Sequence, residues 1–208
     1  MCGRYYVDDE TARAMEALLR GLQGKIRRGS MAAVGRMAAG DVHPSEAAPV
    51  LWGEGGAVRC GWQRWGFPGF QGKRVIFNAR SESAMEKPLF RDSILHRRIA
   101  VPAAGFYEWN SRREKSRFYK KGCPLLLMAG CSRQYEDGAH FVILTTAANG
   151  SMKPVHERMP LILEWDEAAK WVLDDAGVKE ILGKIPCLLE RESENQIMSS
   201  SACFRACF

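Results

Sequence analysis

The residues that could carry chemistry fall in four places along this sequence. The first is Cys2, directly after the initiator methionine. A small penultimate side chain favours removal of Met1, which leaves an α-amine and a thiol on adjacent carbons. An α-amine has a pKa near ~7.7–8.0, against ~10.4 for lysine, so much of it is uncharged and nucleophilic at neutral pH. Such an aminothiol captures an aldehyde twice, first as an imine and then by closing a thiazolidine ring, an intramolecular step favoured by high effective concentration. The competing reading is an inert buried thiol near a fraying chain end. The second place is Phe77-Asn78-Ala79-Arg80, after apolar Val75 and Ile76. In a continuing strand Asn78 and Arg80 share a face, where an amide suits a sugar oxygen and a guanidinium suits a phosphate; a strand-end turn and a surface arginine are the alternative.

The third place is Gly105-Phe106-Tyr107-Glu108-Trp109, a carboxylate inside an aromatic run. Acids are seldom buried without a partner or a purpose, and desolvation there favours a protonated Glu108 fit for general acid work; a structural ion pair with a nearby arginine competes. The fourth is Val155-His156-Glu157-Arg158-Met159-Pro160, where His156 is a natural proton shuttle or a satisfied half-buried histidine. Cys203-x3-Cys207 and Cys123-x7-Cys131 lack paired histidines and match no zinc spacing, so neither metal nor organic cofactor is expected.

Charge adds a partner. The chain carries +6 overall with a pI near 9.0. Between Arg97 and Lys121 eight Lys/Arg face two Glu, whereas from Leu161 to Gln196 nine acids face four bases. A basic window on a domain that is acidic elsewhere suggests a polyanion or a solvated loop. Within that window Phe106, Tyr107, Trp109, Phe118 and Tyr119 lie among the cations, a mixture suited to single-stranded nucleic acid, with Phe106 and one or two of the others assigned to the core.

These groups need a scaffold. At 208 residues, 46% hydrophobic and 26% charged, the sequence reads as one globular domain over 1–208. It contains no membrane-length apolar run. Its first residues have no apolar signal core, and its seven cysteines have no regular spacing, so reduced thiols are expected. The expected setting is cytoplasmic, or nuclear in a eukaryote, and the expected state is monomeric. Periodicity predicts helices over Asp8–Leu22, from Asp166 (as N-cap) to Leu173, and over Val178–Leu182. Short apolar runs predict strands at Ala48–Trp52, Ala57–Trp65, Arg74–Phe77, Ile99–Val101, Gly105–Asn110, Phe118–Lys120, Leu125–Ala129, Phe141–Thr146 and Pro160–Leu163. Residues 23–46 read as a basic loop, and 187–208 stay unassigned. The expected fold is α+β, a mainly antiparallel barrel-like sheet core with peripheral helices.

Taken in order, Cys2-Gly3-Arg4, Trp65-Gly66-Phe67-Pro68, Asn78-Ala79-Arg80-Ser81-Glu82, Gly105-Phe106-Tyr107-Glu108-Trp109, Thr145-Thr146-Ala147-Ala148 and His156-Glu157-Arg158-Met159-Pro160-Leu161 resemble the SRAP (SOS response-associated peptidase) family, from Met1 to about Leu163. The resemblance implies a protein that shields abasic sites in single-stranded DNA through a thiazolidine crosslink at Cys2. It implies that Asn78 orients the opened sugar and Glu108 promotes ring opening and reversal, with His156 moving protons at the Schiff-base stage. It further implies autocatalytic removal of Met1, an AP-lyase side activity, phosphate contacts by Arg4, Arg80 and Arg158, and Pro44 and Trp65 at the DNA junction. Two departures from the family pattern are a short segment between Trp65 and Asn78 and an unfamiliar ending beyond Pro186. An N-terminal-nucleophile amidohydrolase, with the Cys2 thiolate attacking an amide, and a non-covalent nucleic-acid-binding module are the rival readings.

Overall fold

The computed structural model describes residues 2–21, 39–69 and 74–193. The readings that fall on 22–38, 70–73 and 194–208 lie outside the described residues: most of the basic loop, part of the short segment before Asn78, and most of the C-terminal stretch.

Along the chain run β1 (Tyr5–Val7), α1 (Asp9–Gly21), β2 (Gly40–Val42), β3 (Ala47–Glu54), β4 (Ala57–Trp65), β5 (Phe67–Pro68), β6 (Val75–Ile76), β7 (Asn78–Arg80), α2 (Ser81–Ala84), α3 (Pro88–His96), β8 (Arg98–Ala103), β9 (Gly105–Trp109), β10 (Lys115–Tyr119), β11 (Leu126–Tyr135), β12 (Gly138–Ala147), β13 (Arg158–Pro160), β14 (Ile162–Leu163), α4 (Trp165–Leu173), α5 (Val178–Leu182) and β15 (Glu190–Ser193). Strands β12, β4, β3, β8 and β11 close into a five-stranded barrel. Four of its seams are antiparallel, and the β12–β4 seam is parallel through His140↔Arg64 and Phe141↔Trp65. Beyond that seam β12 continues, pairing β7 in parallel and β13 antiparallel. A second, wholly antiparallel sheet has the order β15-β10-β9-β1-β2.

The apolar runs are continuous because barrel strands are buried on both faces, and alternate residues serve different cores. Leu51, Ala100, Leu127, Ala129 and Val142 pack with Phe90, Ile94 and Trp171 of the helices. Their neighbours Val50, Ile99, Val101, Met128, Phe141 and Ile143 pack with Tyr5, Phe106 and Phe118 of the small sheet. The second core, between barrel and small sheet, also contains Cys2.

The expected α+β barrel is the observed one, with local differences. Asp8 caps α1, its Oδ1 accepting from the Thr11 N–H at 2.7 Å. Asp166 is not the cap of α4: Glu164 holds that position in a capping box with Glu167, since the N-cap is the last residue outside helical geometry and Asp166 already lies in the first turn. Of the strand expected over 74–77 only Val75–Ile76 forms, as β6, and β7 starts beyond Phe77 at Asn78. Helices α2 and α3, absent from the sequence reading, are too short for a full apolar stripe; in α3 only Phe90 and Ile94 are an i,i+4 buried apolar pair.

Candidate functional site

Strand β1 brings the chain's second residue to the middle of the protein. Its pairing with β9, Tyr5↔Phe106, continues toward the N-terminus as the Tyr107 N–H donates to the Arg4 carbonyl at 2.9 Å. Cys2 therefore enters beside the Glu108 end of β9. It has no exposed surface, its Sγ faces the Arg4 carbonyl at 3.6 Å, and Asn78 Nδ2 donates to the Cys2 carbonyl at 2.8 Å. Burial, helped by the charge of Glu108, pushes the Cys2 thiol up to about 12. The thiol is protonated at neutral pH.

Asn78 opens β7, and its side chain faces the Cys2 backbone because Ala79 takes the opposite, buried face. Asn78 Oδ1 is buried and has no hydrogen-bond partner among the described residues. Glu108 is buried, 4% exposed. It points inward with Phe106 and Phe118, opposite Ser116 across the β9–β10 register. His156 is half-buried and follows Val155, which packs in the same core cluster as Cys2. The Arg158 N–H donates to His156 Nδ1 at 2.9 Å, so the neutral imidazole carries its proton on Nε2. His156 lies in the loop before β13, which Arg158 opens.

The candidate DNA contacts divide. Arg80 is exposed, and no described residue pairs with its guanidinium. Arg4 lies over the Trp109 ring at 5.3 Å and 3.5 Å from Asp41. Arg158 is already engaged: its fork grips both Glu82 oxygens at 2.7 and 2.8 Å and reaches the Thr145 carbonyl at 2.6 Å. That pairing holds the Glu82 carboxyl below its usual range. Nothing in the sequence announced the pair, since its members are 76 residues apart. Pro44 sits half-buried in the β2–β3 turn, next to Ser45, whose N–H donates to the Trp65 carbonyl at 2.7 Å.

The resemblance implies Trp65 at the DNA junction, and the structure places its ring in the core between barrel and small sheet. Its ring is fully buried, stacked near Phe141 with centroids 6.3 Å apart, and its Nε1–H donates to the Phe77 carbonyl at 2.9 Å. A large indole at a parallel barrel seam fills space that nothing else can, and here it anchors the approach to β7.

A profile of the SOS response associated peptidase (SRAP) family matches residues 1–199. The chain is 32% identical over 146 residues to the abasic site processing protein YoaM of Bacillus subtilis strain 168, an alignment taking in 64% of each chain. It is 31% identical over 124 residues to the abasic site processing protein YedK of Escherichia coli K12, 56% of each. With the abasic site processing protein HMCES of Xenopus tropicalis it shares 32% over 124 residues, 47% of this chain and 37% of that one. The match thus spans less than two thirds of these relatives' length. Among solved structures, a protein from Bacteroides thetaiotaomicron superposes with a TM-score of 0.73 at 22% identity, covering 92% of this chain and 91% of that one. A phage-related protein from Bordetella bronchiseptica does so with a TM-score of 0.72 at 24% identity, covering 94% and 95%. At such identities the likeness concerns the fold.

Proposed function

This chain belongs to the SRAP family of abasic site processing proteins, and from that premise we propose that it captures abasic sites in single-stranded DNA covalently through Cys2. The observation that carries the reading is the hydrogen bond from Asn78 Nδ2 to the Cys2 carbonyl. It ties a residue that would otherwise fray to β7, within the influence of the buried Glu108. Met1 is lost first, by hydrolysis of its peptide bond, and frees the Cys2 amine. Glu108 relays a proton, its carboxylate taking the one that the C1′ hydroxyl of the abasic sugar gives up and returning one to the ring oxygen, and the hemiacetal opens to an aldehyde.

The amine acts before the sulfur because the thiol is held protonated. It adds to C1′, and water leaves to give an imine, with the His156 imidazole moving protons. The thiol then adds across the C=N bond: sulfur bonds to C1′, its proton passes to nitrogen, and the thiazolidine closes. Diversion of the imine by β-elimination would cut the strand and give a lyase activity. Arg80 and Arg4 contribute phosphate contacts, with Arg158 held beside them by Glu82, and Pro44 flanks the path. The chemistry needs neither metal nor organic cofactor.

Intact mass spectrometry after incubation with an abasic oligonucleotide tests the reading. One adduct per chain is expected, at the summed mass less one water, on protein lacking Met1. Cys2→Ala should abolish it. Cys2→Ser keeps the amine and should yield only an adduct trapped by borohydride. An undiminished adduct in Cys2→Ala, or reaction with Met1 retained, would overturn the assignment.

A further inference from the structure

The small sheet has an outer face that the Cys2 chemistry does not use. Alternation along β1, β9 and β10 turns Tyr5, Phe106, Glu108, Ser116 and Phe118 inward and leaves Tyr6, Tyr107, Trp109, Lys115, Arg117 and Tyr119 on the opposite side. The register makes a compact grid of them. Arg117 is opposite Tyr107, Lys115 is opposite Trp109, and Tyr119 and Tyr6 flank Gly105 from either side. Gly105 permits this closeness, since a Cβ there would lie 2.7 Å from Tyr6 Oη and 2.3 Å from the Phe118 carbonyl.

Every cation on the grid lies over a ring. Lys115 Nζ is 4.0 Å from the Tyr107 centroid, and the Arg117 guanidinium carbon is 5.6 Å from Tyr6 and 5.3 Å from Tyr119. Tyr6 and Tyr107 are 5.2 Å apart. The face is held at its rim: Glu192 accepts from Tyr119 Oη at 2.8 Å and pairs with Arg117, and the Asp41 carboxylate lies near Tyr107. The β9–β10 hairpin from Arg112 to Lys121 carries six Lys/Arg against Glu114.

We propose that this face is a stacking platform for single-stranded DNA, separate from the lesion pocket and continuous with it at Trp109 and Arg4. The inference rests on the DNA-binding reading above. Pre-set aromatic faces interleaved with cations are what an unpaired strand needs, rings for its bases and charge for its phosphates. Cation–π contacts at an exposed site are weak, so a phosphate can draw Lys115 away and open the Tyr107 ring to a base, while Arg117 stays paired with Glu192. A duplex offers no free base faces. The path joins the pocket because Trp109 is next to Glu108 in the chain and Arg4 is two residues from Cys2.

The test uses lesion-free oligonucleotides, whose binding does not depend on covalent capture, so a failure of the Cys2 chemistry leaves this readout intact. Fluorescence anisotropy would give the affinity ratio between a strand of about 15 nucleotides and one of about 5, for the native protein and for Tyr107→Ala and Lys115→Glu. The native ratio should exceed that of each variant at least fivefold, on the order of one lost stacked base, and duplex DNA should show no such loss. A misfolded variant would lose both affinities and keep no meaningful ratio; UV crosslinking of 5-iodouracil strands to the native protein then decides. Adducts in the peptide spanning 105–121 are expected. An unchanged ratio in well-folded variants, or adducts confined to other peptides, would overturn the platform.

Discussion

Asn78 spends one amide hydrogen on the Cys2 carbonyl and leaves its buried oxygen without a partner among the described residues. A carboxylate of the same shape cannot donate: Asn78→Asp removes the donor and sets a negative charge against a carbonyl oxygen. Crosslinking to an abasic oligonucleotide should slow at least tenfold, about the 1.4 kcal/mol of a single hydrogen bond with its desolvation. The thermal midpoint should stay close to the native one, because β7 keeps its pairing with β12. An unaltered rate would remove Asn78 from the site. The same amide could be found in the sequence, but its partner could not, for a bond across 76 residues leaves no trace in local spacing.

Among the elements, the contact between α3, α4 and the barrel depends on one cation. Arg98 opens β8 with its side chain 6% exposed and donates to the Ile94 and Leu95 carbonyls of α3 at 3.0 and 2.8 Å and to the Trp171 carbonyl of α4. The last turns of both helices carry unpaired carbonyls and negative partial charge, which one guanidinium satisfies together. Arg98→Leu should therefore destabilise the protein by about 3 kcal/mol, since several buried acceptors lose their donor at once. A shift in the urea midpoint measures this, and a change below about 1 kcal/mol would mean that water takes over the arginine's role. From the sequence Arg98 belonged to a basic window; the fold separates it from the members at 112–121, and the platform residues take a different face.

For the whole molecule, burial sets the response to alkali. The thiols of Cys2, Cys60 and Cys131 are each pushed up to about 12, chiefly by loss of water around them, and burial raises the Tyr5 and Tyr6 phenols as well. In the unfolded chain these thiols titrate near 9. Below that value both states hold the protons and the full stability is present. Between 9 and 12 the unfolded chain gives them up while the folded one retains them, so stability falls as pH rises. The urea midpoint should decline steadily from pH 9 to pH 11, and less steeply in Cys60→Ala. A midpoint that is flat over this range would show these thiols to be better solvated than their burial implies.

Local order in the sequence marked the residues of the proposed site and settled the strand-rich pattern and the helices at Asp9–Gly21, Trp165–Leu173 and Val178–Leu182, because apolar periodicity and short motifs act between neighbours in the chain. It also carried the family, through motifs from Cys2 to Leu161. Tertiary structure decided the rest. It closed the barrel with a parallel seam, sent Trp65 into the core rather than to the surface, locked Arg158 onto Glu82, and divided one basic stretch between a helix anchor and a sheet face. Each of these depends on contacts between residues far apart in sequence, whose burial and pairing are fixed only when the strands pack.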